Sequence, residues 1–332
     1  MKKCVLILLI SVMVLISCGR PTEDDEVYTI RLAHVVAETH SSHLVALEFK
    51  DMVEENSDGR ITVEIYPSGS LFPSDREAIE SVQLGNVEMT IPALASVSSF
   101  DQDFMILDLP FLFENHEQVY DVLDGEFGEN LLAGLEEYNL KGLVFGENGF
   151  RYITNNVQPI EEMSDLNGQK FRTLESPVQT DVYNAFGANA SPFAFGEMYS
   201  ALQQGVYDAM EGPISLIYTS NIQEVQDYLT LSNHYYMPTA LLMNNEFYEE
   251  LPDDLKEVVD EAAVMFRDEQ RKLAREQDDE YFEVLVEDGM EVNELSDEAL
   301  DEFREASVPV YEKYEEKLGS ELFEEFYRAR DQ

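Results

Sequence analysis

The chain has 332 residues, and its 21 Lys and Arg stand against 68 Asp and Glu, a formal net charge of −47. A field of that sign argues against nucleic acid and anionic membrane surfaces as partners, while 44% hydrophobic residues supply enough core for one to three domains. The only cysteines are Cys4 and Cys18, so the bulk of the chain has neither a disulfide framework nor a thiolate metal site.

The elements, in chain order, begin with Lys2 and Lys3 and an apolar run from Val5 to Ile16, broken only by Ser11. The run is short for a membrane span and reads as a secretory signal. Leu15-Ile16-Ser17-Cys18-Gly19 resembles a bacterial lipobox, which implies cleavage before Cys18 and acylation of its thiol. Residues 1–17 are then a signal peptide and 18–26 a polar, acidic, lipidated tether that anchors the protein at the periplasmic or outer cell surface without a transmembrane helix. An ordinary signal peptide with an incidental cysteine is the alternative. Tyr28 to Ala33 reads as a strand. Ser41 to Glu55 has helical spacing, with Leu44, Leu47, Met52 and Val53 on one face. Arg60 to Tyr66 alternates as a strand, and Asp75 to Leu84 is a helix ended by Gly85. Short strands are expected at Val87 to Ile91, Leu143 to Phe145 and Gly168 to Thr173. Ser176 ahead of Pro177 is an N-cap and N1 pair opening a helix to Phe186. A further helix runs from Gly196 to Gln204, and extended chain returns at Tyr228 to Leu231 and Thr239 to Asn244. Strand–helix alternation of this kind is the α/β signature. From Asp253 to Asp288 there is no proline or glycine, which predicts either one very long helix or two; Ser296 to Arg330 is helical and acidic.

Several stretches together resemble the solute receptors of tripartite ATP-independent periplasmic (TRAP) transporters: Arg60 to Ser70 (RITVEIYPSGS), Arg76 to Glu80 (REAIE), Leu109 to Phe113 (LPFLF), Gly149 to Arg151 (GFR), Phe171 to Thr173 (FRT) with Glu175 to Pro177 (ESP), Phe195 to Gln203 (FGEMYSALQ) and Asp208 to Pro213 (DAMEGP). The resemblance implies an α/β, two-lobed periplasmic-binding-protein-like fold with a cleft between lobes and a long bridging helix. It implies lobe I at residues 27–148 with 237–276 and lobe II at 149–236 with 277–332. It further implies a monomer that captures a small organic acid and hands it to a membrane permease, with no cofactor.

The same resemblance assigns the principal carboxylate contact to Arg172 and a supporting one to Arg151. The chemistry agrees, because a guanidinium offers a bidentate fork that matches a carboxylate and stays charged, and strand ends are where open α/β sheets place ligands. A strand-edge arginine pairing with one of the many acids is the alternative. Where the family usually has asparagine in a D-G-x-E-N-P pattern, this chain has Gly212, which implies space in the cleft for a bulkier sugar, keto or hydroxy acid. The resemblance also makes His34 and Glu77 candidates for substrate hydroxyls, although Asp75 and Glu77 equally suit a helix N-terminus, and Phe195 is a candidate cleft wall for which core packing is an equal explanation. His34, His40 and His43 match no metal-ligand spacing, and there is no phosphate loop or nucleophile elbow. An exported hydrolase using Glu77 and Glu211 as acid and base and a ligand-binding sensor subunit are the rival readings.

Overall fold

The computed structural model describes residues 27–331. Cys18 and the signal and tether expectations lie outside the described residues. Among the described residues no helix is long and apolar enough to cross a membrane.

The chain runs β1 (Tyr28–Ala33), α1 (Ser41–Asn56), β2 (Ile61–Tyr66), α2 (Asp75–Gln83), β3 (Met89–Thr90), α3 (His116–Leu123), α4 (Glu126–Gly134), β4 (Leu140–Asn155), β5 (Lys170–Thr173), α5 (Pro177–Ala185), β6 (Asn189–Pro192), α6 (Met198–Gln203), β7 (Ala209–Gly212), α7 (Ile214–Thr219), β8 (Tyr228–Asn244), α8 (Asn245–Glu250), α9 (Asp253–Glu287), β9 (Glu291–Glu294), α10 (Asp297–Leu318) and α11 (Ser320–Arg330). The strands form one continuous path, β2-β1-β3-β8-β4-β7-β5-β6, with β9 on β8. Its two ends are parallel, β1 with β2 and β5 with β6, as helical crossovers require. Its centre is the antiparallel pair β4 and β8, which are 16 and 17 residues long.

These two strands run through both halves and define two lobes. The carboxyl half of β8 pairs with β3 and with the start of β4, while the end of β4 pairs with β7 and with the start of β8. Their register shifts at Gly142/Val144, Glu147/Gly149 and Arg151/Ile153. Bulges of this kind bend a ribbon, and the central one contains Gly149 at φ 110°, where a Cβ would stand 3.2 Å from Asp278 Oδ2.

Helix α9 is the second crossing. It is a single helix of 35 residues, as an interior without proline or glycine permits. Its first half packs Leu255, Val259, Ala262 and Phe266 into the core of the first lobe with Ile30, Phe49 and Val63. Its end places Leu285 with Met198, Met210 and Ile217 in the second. Between them the buried positions are Gln270, Arg271, Ala274 and Gln277, so polar side chains take the place of the large aliphatics. Gln270 accepts from Glu147 N (2.7 Å) and donates to Glu147 O (2.6 Å), and Gln277 accepts from Ser41 N (2.9 Å) and donates to Thr39 O (2.8 Å). The bend of β4 and the loop before α1 are thereby tied to one rigid rod. The carboxyl-terminal helices pack over the outside, α10 against α5 and α11 against α3 and α4.

Candidate functional site

The strand ends of both lobes converge on one cleft. Val35, Val36, His40 and Ser42 follow β1, Ser74 and Asp75 begin α2 after β2, and Ile91, Ala93 and Ser96 follow β3. From the other side come Arg172 at the end of β5, Leu174 and Glu175 behind it, Phe193 and Phe195 after β6, and Leu216 in α7. Asn148, Arg151 and Thr239 enter from the β4–β8 ribbon. The lobes touch at the rim, where Gly196 N donates to Pro73 O at 3.1 Å. A Cβ on residue 196 would lie 2.9 Å from that oxygen, so only glycine permits this contact. The empty space between the lobes is about 570 Å³, part of it open to solvent at the mouth, which is room for a small organic acid.

Two of the chain's few cations are buried here, Arg151 at 1% and Arg172 at 3% exposure. Arg151 is gripped by Glu211 on the neighbouring strand β7, itself 0% exposed. Its Nε and Nη2 both donate to that carboxylate, the second at 3.0 Å, and Nη2 also donates to Glu211 O at 3.1 Å. Arg151 Nη1 has no protein partner and is shielded from solvent. Arg172 donates from Nε and Nη2 to the carbonyl of Phe193, at 3.0 and 2.8 Å. Burial, with the charge of Arg151 beside it, pulls its pKa down to about 10, against the pull of Glu211 and Asp75; it is cationic at neutral pH. Glu211 pairs with Arg151 and also favours the charged form of Arg172, so two guanidiniums side by side form a cationic patch in a strongly negative protein, and an anion is what such a patch attracts.

The rest of the wall mixes apolar side chains such as Val35, Ile91, Leu174 and Leu216 with polar atoms that lack partners. Asp75 Oδ1, Asn148 Oδ1, His40 Nε2 and Thr239 Oγ1 are all buried without a hydrogen-bond partner. Buried polar atoms without partners are uncommon and costly, and four around one cavity, with Arg151 Nη1, make a set of open hydrogen-bonding positions. His40 Nδ1 accepts from Ser42 N at 3.2 Å as the N-cap of α1, and burial lowers its pKa to about 4. The neutral ring therefore carries its proton on Nε2, as a donor to the cavity. Asp75 Oδ2 accepts from Ala93 N at 3.1 Å. Burial raises its pKa to about 7, and Glu175 adds to the rise while the Ala93 amide and Arg172 oppose it.

The structure brings Arg151, Arg172 and Phe195 to the cleft and leaves three other candidates outside its lining. Glu77 is exposed; the first turn of α2 turns Asp75 inward instead, with Ser74 capping Glu77 N at 3.3 Å. His34 is buried behind the wall, with Nε2 3.0 Å from His43 Nδ1, and burial beside His43 and His40 lowers its pKa to about 3. Gly212 opens no space in the cleft. Strand alternation sends Glu211 toward the arginines, and a Cβ on residue 212 would meet Met210 Cε at 3.1 Å, Leu216 Cδ2 at 3.4 Å and Ile217 Cγ1 at 3.6 Å. Gly212→Asn is accordingly expected to overpack an apolar cluster, lowering stability by about 1–3 kcal/mol while leaving the order of ligand preference unchanged. Urea unfolding and a thermal-shift panel of acids check both parts, and a switch toward smaller acids at unchanged stability would contradict the placement. Asn148 and Thr239 sit in no recognisable motif; of the four, the sequence marks Asp75 as an acid suited to a helix N-terminus and His40 as one of three neighbouring histidines.

Residues 32–317 match the profile of the family described as bacterial extracellular solute-binding protein, family 7. The chain is 35% identical over 298 residues to the C4-dicarboxylate-binding periplasmic protein DctP of Rhodobacter capsulatus, covering 89% of each. The sugar acid binding protein of Advenella mimigardefordensis, solved in complex with galactonate, superposes with a TM-score of 0.90 at 35% identity, over 92% of this chain and 98% of that one. A TRAP periplasmic solute-binding protein of Sulfurospirillum deleyianum with bound succinate gives 0.86 at 32% identity, over 91% and 99%.

Proposed function

From the membership of this chain in the bacterial extracellular solute-binding protein family 7, we propose that it is the lipid-anchored receptor of a TRAP-type transporter and binds a hydroxylated organic acid through Arg172 and Arg151. The observation that carries the ligand class is the pair of buried arginines facing open polar positions in one cleft. Arg172 and Arg151 Nη1 take the ligand carboxylate. Asn148, Thr239, His40 and Asp75 take its hydroxyl or keto oxygens, and Phe193 and Phe195 cover the carbon chain.

The cycle is capture in an open cleft, rotation of the lobes about the bends of β4 and β8, and docking of the closed form on a permease. The hinge divides lobe I, residues 27–148 and 237–276, from lobe II, residues 149–236 and 277–332. The protein acts as a monomer that captures and releases its ligand without chemical change, outside the cytoplasmic membrane. Residues 1–17 are removed and Cys18 carries the acyl anchor. What supports the anchor is the basic start, the apolar run and the Leu15-Ile16-Ser17-Cys18 sequence.

Mass spectrometry of the protein extracted from its own membranes tests both halves of the reading. The expected intact mass is that of a chain beginning at acylated Cys18, and the expected small molecule released on denaturation is an intact hydroxy, keto or sugar acid. A chain that starts elsewhere removes the anchor. A hydrolysis product, or a bound molecule with no acidic group, removes the receptor reading.

A further inference from the structure

At the bend of the β4–β8 ribbon four elements meet on one carboxylate that does not line the cleft. Glu147 is 0% exposed and stands just before the central bulge of β4. Gln270 of α9 holds its backbone on both sides, at 2.7 and 2.6 Å. Tyr120 of α3 donates its hydroxyl to Oε2. His116, the first residue of α3, sets Nε2 3.1 Å from Oε1 without the alignment of a hydrogen bond, so that contact is electrostatic rather than directional. Tyr236 of β8 lies beside the same carboxylate; burial and the charge of Glu147 push its hydroxyl well above its ordinary pKa.

These contacts straddle the bend. Before it, α3 is fastened to the first half of β4. Arg271 of α9 donates to Asp124, at the end of α3, at 2.6 and 2.8 Å and to Phe145 O at 2.9 Å, and its guanidinium lies 4.3 Å over the ring of Tyr120. After it, Phe150 of β4 and Tyr236 of β8 face each other in register and meet the ring of His116 edge to face, with centroids 5.0 and 6.0 Å away. Rotation about the bulge therefore moves Phe150 and Tyr236 away from His116 and Glu147, and it lets water reach a carboxylate that is otherwise wholly covered. Asn148 and Arg151 leave the same bent segment for the cleft, so a ligand that holds them resists that rotation.

We propose that His116 and Glu147 are the latch of the hinge, engaging Phe150 and Tyr236 when the lobes close and thereby setting how slowly a captured ligand leaves. The proposal rests on the receptor reading given above, and it puts the control of release on residues that do not touch the ligand. Capture occurs in the open form, where the latch is unmade, so the association rate belongs to the cleft. Release follows opening, which breaks the latch. A weakened latch shifts the balance toward the open form and raises the dissociation rate while association stays as it was. Loss of His116 acts in that direction for a stated reason: in the closed form it leaves a fully buried carboxylate without its basic partner, a penalty that opening relieves.

Stopped-flow fluorescence with galactonate and succinate is the test, with tyrosine as the reporter because the chain has no tryptophan. His116→Phe keeps an aromatic ring against Phe150 and Tyr236 and removes the partner of Glu147. Tyr236→Phe removes only the hydroxyl beside that carboxylate. For the tighter-binding acid, His116→Phe is expected to raise koff at least about tenfold while kon stays within about threefold of wild type, and Tyr236→Phe to raise koff about threefold. A koff within about twofold of wild type in His116→Phe, or a loss of affinity carried by kon, overturns the latch while leaving the receptor reading intact. If His116→Phe does not fold, Tyr236→Phe decides by the same criterion. A wild-type protein that binds neither acid overturns this proposal together with the receptor reading.

Discussion

Arg172→Ala is expected to weaken binding of the acid ligand by about two orders of magnitude or more. A charge-assisted hydrogen bond is worth roughly 1.5–3 kcal/mol, and losing two of them corresponds to at least about a hundredfold in Kd. The structure adds a second consequence. Nε and Nη2 of Arg172 hold the carbonyl of Phe193, which carries the cleft-wall segment 193–195, so the alanine also frees a wall. Arg172→Lys separates the two effects. Lysine keeps a positive charge but has neither the planar fork nor the reach to satisfy Phe193 and a carboxylate together, and it is expected to recover little of the loss. Calorimetry on both variants, with near-UV circular dichroism to confirm an intact fold, makes the comparison. Undiminished affinity in Arg172→Ala would falsify the assignment of the anchor.

How far the sequence could be read depended on whether a residue's role was local. Capping and breaking residues act over a few positions, so Ser176 with Pro177 marked α5, and the absence of proline and glycine allowed the 35-residue α9. Arg151 and Arg172 were legible because Gly149 to Arg151 and Phe171 to Thr173 resemble the motifs of TRAP solute receptors, and the guanidinium fork agrees with that assignment. Strands β4 and β8 were seen only as fragments. Both are buried on both faces over most of their length, so alternation is absent, and the bulges that bend them through the two lobes interrupt what remains. The choice between Asp75 and Glu77 turned on the phase of a single helical turn. Two residues apart on a helix is about 200° of rotation, and nothing local fixes that phase. Asn148 and Thr239 come together across the β4–β8 ribbon, a long-range pairing with no signature at either end. Gly212 misled because its role depends on which face of β7 it occupies. The strand direction that points Glu211 at Arg151 necessarily points its neighbour away from the cleft.

That same strand phase makes Glu211→Ala the variant with the largest expected cost in stability. Among the described residues Glu211 is the only carboxylate paired with Arg151, and neither residue reaches bulk solvent. Removing one member of a buried pair leaves the other's desolvation uncompensated, a loss of about 3–5 kcal/mol. Arg172 shares the loss, because Glu211 supports its charged form while Arg151 opposes it. Replacing both partners with apolar residues, Arg151→Met with Glu211→Leu, removes the unpaired charge and is expected to be less destabilising than Glu211→Ala alone, although it breaks up the cationic patch. Ligand then gives a signature that a packing defect would not produce. In Glu211→Ala a bound carboxylate becomes the missing counter-charge for both guanidiniums, so the same acid at saturating concentration raises the midpoint of unfolding more than it does in the wild type. Urea unfolding with and without ligand measures each quantity. A loss below about 1 kcal/mol in the single variant, the scale of an exposed ion pair, would mean that Arg151 tolerates burial without its partner and that the pair does not organise the cleft.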